Sequence, residues 1–437
     1  MSDAHAAVRA ELRAVFAGIL PALDPARAVR EALRVGPGML SVAGRTLPRD
    51  GQVRLVAIGK AGSPMAQAAL DALGTGVRGV VVVPHGTGVP GARDGIAVVH
   101  ARHPLPDAGS RRAAAAVRAA LEGCTARDVV LFLLSGGGSA LCEAPLDPAI
   151  PLDDVAEFHR ALVGSGLDIV AMNTLRKHAS AVKGGRLARL AAPAAQATLL
   201  VSDVPTGRLD AVASGPTMPD PSTVADCRAL LPRVADRIPP SYVALLGSPD
   251  LPEIAKAHEP AFARASFHCL LDDATAVAAA RDRCRASGWI VEVDARTDDA
   301  PVADAAEHLL ARLAALHRAH PGRTVAVVAG GELSCPVRGG GIGGRNQHFA
   351  LHCALQIEDE PVAVLSAGTD GIDGNSPAAG AVADGTTCRR ARARGLDPRA
   401  VLAAFDSHAL FAALGDAIVT GPTGTNVRDV RVLVRFA

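Results

Sequence analysis

Short apolar runs along this chain repeatedly end in polar loops of glycine, serine or aspartate, and a helix-compatible stretch follows most of them. Residues 54–58 lead into Gly59, Lys60, Ala61 and Gly62. Residues 129–134 lead into Ser135, Gly136, Gly137, Gly138 and Ser139. Residues 198–201 lead into Ser202 and Asp203, and 362–367 into Gly368, Thr369, Asp370, Gly371, Ile372 and Asp373. Parallel strands need a crossover between them, usually a helix, so this alternation predicts an α/β fold. The run 129–134 is apolar at every position, as a central strand covered on both faces should be. In such sheets ligands gather at the carboxyl ends of the strands, where these loops lie. A length of 437 residues suits two domains, with largely parallel or mixed sheets.

The periodicity predicts one or two helices over 5–35, with Asp24 and Pro25 as cap and first residue of a second, and helices over 65–73, 107–121, 152–163, 169–190, 274–286, 302–319, 346–356, 379–393 and 400–414. Further strands are expected at 79–83, 96–100, 266–271, 289–293, 324–328 and 430–434. Gly184 and Gly185 interrupt the long 169–190 segment and predict close packing or a kink there.

Several function classes fall away. The net charge is +1 and no basic run appears, which argues against nucleic acid and anionic membrane as partners. Aromatics at 3% give little surface for base stacking. The eight cysteines form no C-x-x-C pair, so idle thiols in a reducing, cytoplasmic setting are expected. Residues 1–22 are broken by charges and read as an amphipathic helix, not a signal peptide.

The richest glycine stretch is 338–344, ahead of Arg345, Asn346 and Gln347. Glycines let backbone N–H groups approach a ligand, and a helix beginning at 345–346 would offer free N–H groups to an anion. Arg345 would add a planar two-pronged grip. Gly339, Gly341 and Gly344 also match G-x-G-x-x-G, but some nine residues and Pro336 separate them from the preceding strand, which is the wrong context for a dinucleotide fingerprint. The 135–139 loop has the right context, following its strand directly.

Other candidates carry plain readings beside functional ones. Lys60 stands at a strand's carboxyl end, though a lone lysine is commonly a solvated charge, and His103 is as easily a turn residue as a substrate contact. Asn173, Arg176 and Lys177 share a helical face, which is usually just a solvated basic face. Asp370 and Asp373, between glycines, suit a metal or hydroxyl site or an ordinary turn. Thr425 sits in another anion-compatible loop, 420–426. Glycine backbones, a lysine, an arginine and several carboxylates, without a G-x-S-x-G elbow or reactive-cysteine pattern, form the inventory of phosphoryl transfer.

Eight stretches in order carry a resemblance. They are IGKA (58–61), HPLPD (103–107), LLSGGGSAL (133–141), MNTLRKHAS with VKGGRLA (172–188), SDVP and ASGPT (202–217), GGRNQ (343–347), GTDGIDG (368–374) and TGPTGTNV (420–427). The chain closely resembles the type 2 glycerate kinase family with its C-terminal MOFRL region. The resemblance implies two α/β domains, 1–260 and 261–437 with exchange of terminal segments allowed, and an active site in the inter-domain cleft. It implies phosphorylation of D-glycerate at its 2-hydroxyl by ATP and Mg²⁺.

Carried over by motif, Lys60 and Arg345 would be the catalytic cations. Ser135, Gly136, Gly137, Gly138, Ser139, Asn173, Lys177, Asn346 and Thr425 would bind nucleotide, phosphate or substrate. Asp203, Asp370 and Asp373 would hold metal or orient the hydroxyl. Three departures bear on the substrate: Thr206-Gly207 where relatives carry Gly-Asp, His348 where they carry Glu, and Leu333-Ser334 where they often carry Thr-Thr. Two rival readings are an NAD(P)H-dependent hydroxypyruvate reductase and a non-enzymatic binder of a phosphorylated metabolite. A kinase for a related small hydroxy acid is the nearer alternative.

Overall fold

The computed structural model describes residues 2–89, 93–205 and 207–436. The chain forms two compact units, Pro25–Leu270 and a second that joins Met1–Asp24 to Leu271–Ala437. The division expected at 260/261 thus lies at 270/271, and the N-terminal helix Ser2–Ile19 packs in the C-terminal unit. Arg9 on that helix pairs with the fully buried Asp384, and also with Asp416 at 3.5 Å.

The 25–270 unit is built on six strands, in spatial order Ile96–Ala101, Arg78–Pro84, Val53–Ile58, Val129–Ser135, Ala195–Val201 and Ala265–Leu271. The first five are parallel neighbours. In chain order this is 3-2-1-4-5-6, the doubly wound arrangement. Its order reverses between Val53–Ile58 and Val129–Ser135, so the loops after these two strands flank the switch point. The Val129–Ser135 strand is buried at every residue, as its apolar run predicts.

The other unit holds a mixed sheet, in order Ile290–Asp294, Val325–Ala329, Asp429–Arg435, Val362–Gly368, Gly380–Asp384 and Ala417–Ile418. Only the first pair is parallel.

Four expected helical segments resolve differently. Segment 5–35 ends in a strand, Leu33–Gly36, which turns at Pro37 and Gly38 into Met39–Val42 and then Arg45–Pro48, a three-stranded antiparallel sheet. The positive φ of Gly38 and Gly44 makes both hairpins tight. Segment 169–190 is two helices, Ile169–Ala179 and Arg186–Ala191. Gly184 and Gly185 take positive φ between them, and a Cβ on Gly185 would lie 2.6 Å from that of Ala255. Segment 379–393 opens as the strand Gly380–Asp384. Its alanines favour helix, but neighbours on both sides pair with it, and a Cβ at Gly380 would strike the Ser366 carbonyl at 2.0 Å. The expected 400–414 helix is likewise split, into Pro398–Ala403 and Ser407–Leu414.

Candidate functional site

In the 25–270 unit, the loops at the switch point are fitted to each other through glycines. Lys60 N–H donates to the Gly136 carbonyl at 2.9 Å, and Ala61 N–H to Ser135 Oγ at 3.0 Å. Gly59 holds φ +135°, and a Cβ there would meet Ser135 Oγ at 2.2 Å. A Cβ on Gly136 would meet the Asp203 carboxylate at 2.1 Å; one on Gly137 would meet His103 at 3.1 Å and the Lys60 stem at 3.2 Å. The structure therefore gathers Lys60, His103, Asp203 and the 135–137 loop around one point. Lys60 is exposed. The N–H groups of Gly136, Gly137, Gly138 and Ser139 have no acceptor among the described residues. Open backbone donors beside an ammonium form a concavity suited to anionic oxygens. Partial burial and, secondarily, the Lys60 charge push the His103 imidazole down to about 4, so it stays neutral there near pH 7.

Ser139 and Asn173 belong to a polar chain behind this loop. Ser139 Oγ lies 2.8 Å from Ser214 Oγ, which donates to Asn173 Oδ1 at 3.1 Å. Ala213 and Ser214 both take positive φ, which the sequence did not announce. Lys177 serves differently. It is 2% exposed and paired with Asp220, and with Asp210 at 3.2 Å, so the expected exposed basic face is a buried ion pair. Departure residue Thr206 lies outside the described residues.

In the other unit, Arg345, Asp370, Asp373, Leu333, His348 and the 341–344 glycines line one cavity of about 550 Å³. Arg345 is the first residue of the helix Arg345–Gln356. Its guanidinium is held by Asp429 at 2.6 Å and Glu332 at 2.8 Å. Burial opposes its charge, but Asp429 and Glu332 outweigh this and raise its pKa.

The N–H groups expected to await an anion at this helix start are taken. Asp373, 1% exposed, accepts from Asn346 N–H at 3.0 Å and Gln347 N–H at 2.8 Å. A Cβ on Gly344 would strike this carboxylate at 2.3 Å. Burial pushes the Asp373 carboxyl up to about 6 despite those donors. Asn346 is itself buried and accepts from Ser366 Oγ at 2.6 Å. Asp373 and Asn346 therefore shape the cavity wall and helix start. Asp370 is half-buried on the cavity. The 420–426 loop packs beneath it, with Thr423 Oγ1 donating to the Thr369 carbonyl at 2.6 Å, and Thr425 Oγ1 is buried without a partner among the described residues.

His348 stacks on Phe405 at 4.5 Å. Burial, then His352, lowers its imidazole to about 4. Phe405 and Glu332 are site-lining or site-bracing residues that the motifs do not place, whereas His348 is one of the departures noted above. The sequence signal available for Glu332 is the triplet Gly330-Gly331-Glu332, which follows the strand Val325–Ala329 directly. Among the described residues no group of three or more His, Cys, Asp or Glu side chains is placed to hold a metal.

Family comparison agrees with these motifs. Residues 11–247 match the model described as Domain of unknown function (DUF4147), and 325–429 match the MOFRL family. A Thermotoga maritima protein named D-glycerate 2-kinase is 36% identical over 94% of each chain. The chain belongs to the type 2 glycerate kinase family. A solved Thermotoga maritima glycerate kinase superposes with TM-score 0.85 and 34% identity, covering 99% of this chain and 100% of that one. An Agrobacterium vitis relative, 38% identical over 98% of this chain and 94% of its own, bears a hydroxypyruvate reductase name. No helix among the described residues is long and apolar enough to cross a membrane.

Proposed function

We propose that this chain transfers a phosphoryl group from ATP to the 2-hydroxyl of D-glycerate, giving 2-phosphoglycerate, with Mg²⁺ as cofactor, in the cytoplasm. The observation that carries the reading is the exposed Lys60 beside four open N–H groups at the switch point of a doubly wound sheet. The glycerate kinase names of the relatives support the acceptor.

Phosphoryl transfer needs positioning and charge neutralisation more than covalent chemistry. In this reading Lys60 draws charge from the moving phosphoryl group, and the 136–139 N–H groups hold phosphate or carboxylate oxygens. The hydroxyl oxygen bonds to the γ-phosphorus as the bond to ADP breaks, and the hydroxyl proton leaves to a carboxylate. Asp203, set against Gly136, is our candidate for that acceptor. Arg345, fixed by Asp429 and Glu332, supplies a second, pre-oriented cation at its cavity. The donor set suits Mg²⁺ arriving with the nucleotide, since this ion takes one or two carboxylates and completes its shell with phosphate and water. Asp370 would hold it, and bound there it would neutralise phosphate charge; were Asp203 the ligand instead, another carboxylate would have to take the proton.

The reductase reading finds less support. The strand Arg78–Pro84 ends at Pro84 and His85 follows, where a dinucleotide site needs a carboxylate for the ribose. At the G-x-G-x-x-G loop, Asp373 already fills the helix N-terminus that a pyrophosphate would need.

The test is product identity. Full-length protein with D-glycerate, ATP and Mg²⁺ should release ADP and form a product that enolase accepts without a mutase. Absence of ADP release with D-glycerate and other small hydroxy acids, alongside NADH oxidation by hydroxypyruvate, would overturn the proposal.

A further inference from the structure

A second cavity, of about 520 Å³, lies in the 25–270 unit and is lined by Arg111, Arg118, Arg186 and Arg189 with apolar walls that include Leu146 and Leu190. No aspartate or glutamate lines it. Arg111 and Arg118 lie on the helix Ala108–Leu121, and Arg186 and Arg189 on Arg186–Ala191. Two elements distant in sequence thus bring four guanidinium groups to one concavity.

The four are not equivalent. Arg189 is neutralised by Glu259, with both contacts at 2.7 Å. The other three donate only to backbone carbonyls: Arg111 to Ile150, Arg118 to Ala181 at 3.3 Å, and Arg186 to Pro252 at 3.3 Å. None of the three makes a carboxylate ion pair within 4.0 Å among the described residues, although Glu253 lies near enough to Arg186 to favour its charge. Nε of Arg111 and of Arg186 is buried with no acceptor among the described residues. Three cations on a part-apolar surface repel one another, and only the attraction of Glu253 on Arg186 opposes this, so an anionic guest would relieve the repulsion. Fixing each guanidinium through a carbonyl instead leaves its remaining donors pre-oriented for a guest.

We propose that this cavity binds a small organic polyanion, a di- or triphosphate or a polycarboxylate with at least two negative charges, as a site separate from the Lys60 loop. The forked donors match paired oxygens of either chemistry, and the leucines cover the carbon body of the guest. The site is independent of the reaction proposed above.

The test is calorimetric titration of the full chain with two probes, pyrophosphate and citrate. Lys60→Ala should keep a binding event for at least one probe, whatever it loses at its own loop, because the cavity does not use Lys60. The double variant Arg118→Ala/Arg186→Gln should weaken that binding by at least about tenfold, as expected for losing two charge-assisted contacts. Arg118→Glu, a change at one exposed side chain, provides a second variant should the double one fold poorly, and should also weaken it. Preference for pyrophosphate would identify the guest as phosphorylated, and preference for citrate as a polycarboxylate. The proposal is overturned if neither probe binds at millimolar concentration, if binding persists unchanged in the arginine variants, or if Lys60→Ala abolishes it.

Discussion

Arg345 and Asp429 form a two-pronged pair: Nε donates to one carboxylate oxygen at 2.6 Å and Nη2 to the other at 3.2 Å. Asp429 is 1% exposed, and without Arg345 its nearest cation would be Arg431 Nη1 at 4.0 Å. Arg345→Ala should therefore cost on the order of 3 kcal/mol in denaturant melts as well as most turnover. Arg345→Lys keeps the charge but loses the fork, and should lose turnover with a smaller stability change. Wild-type ADP release by Arg345→Lys would sink the role given to the planar guanidinium.

Gly136→Ala places a methyl group where the Asp203 carboxylate now lies, and Gly59→Ala adds positive-φ strain to a clash with Ser135. Each should lower turnover at least about tenfold and destabilise by roughly 1–3 kcal/mol. If either variant melts and turns over like wild type, the close fit of these loops is not required.

Lys177→Met separates structure from catalysis. It leaves Asp220 buried without its cation, so a loss of about 3 kcal/mol is expected. Turnover per folded molecule should stay near normal, because the ammonium is spent on Asp210 and Asp220. A large rise in KM at unchanged melting temperature would instead make Lys177 a binding residue.

Asp373→Ala strips the acceptor from Asn346 and Gln347 N–H at the start of Arg345–Gln356. The expected cost is about 1–2 kcal/mol, as for losing a helix N-cap. Hydrogen exchange at the first turn of this helix should accelerate. Unchanged exchange there would mean that another group caps the helix.

Acid should expose His348. Burial holds its folded pKa at about 4, against 6.5 for a free imidazole. Between those values the unfolded chain binds the proton and the folded one does not, so stability falls as pH drops from 6.5 to 4. The contribution is on the order of 2–3 kcal/mol for this buried ring. Asp373, raised to about 6, acts in the opposite sense over an overlapping range, gaining a proton in the folded state. The clean measurement is the difference in melting temperature between His348→Phe and wild type. It should move in favour of the variant on acidification across that window, and a flat difference would refute the buried neutral imidazole.

Sequence alone determined the α/β class, most strands and the candidate list, because those rest on local facts. An apolar run such as 129–134 must be covered on both faces, and a glycine after it marks a turn. Family motifs added the chemistry. Tertiary structure decided what each polar residue is for. Asp373 and Lys177 look like site residues along the chain, yet one completes a helix start and the other a buried ion pair, since their partners lie 27 and 43 positions away. The strand Gly380–Asp384 has helical composition, but the pairing available on both sides overrides it. Lys60, Ser135 and Asp203 meet because the sheet order reverses between Val53–Ile58 and Val129–Ser135. Strand order is a property of packing between distant segments, and no local pattern encodes it.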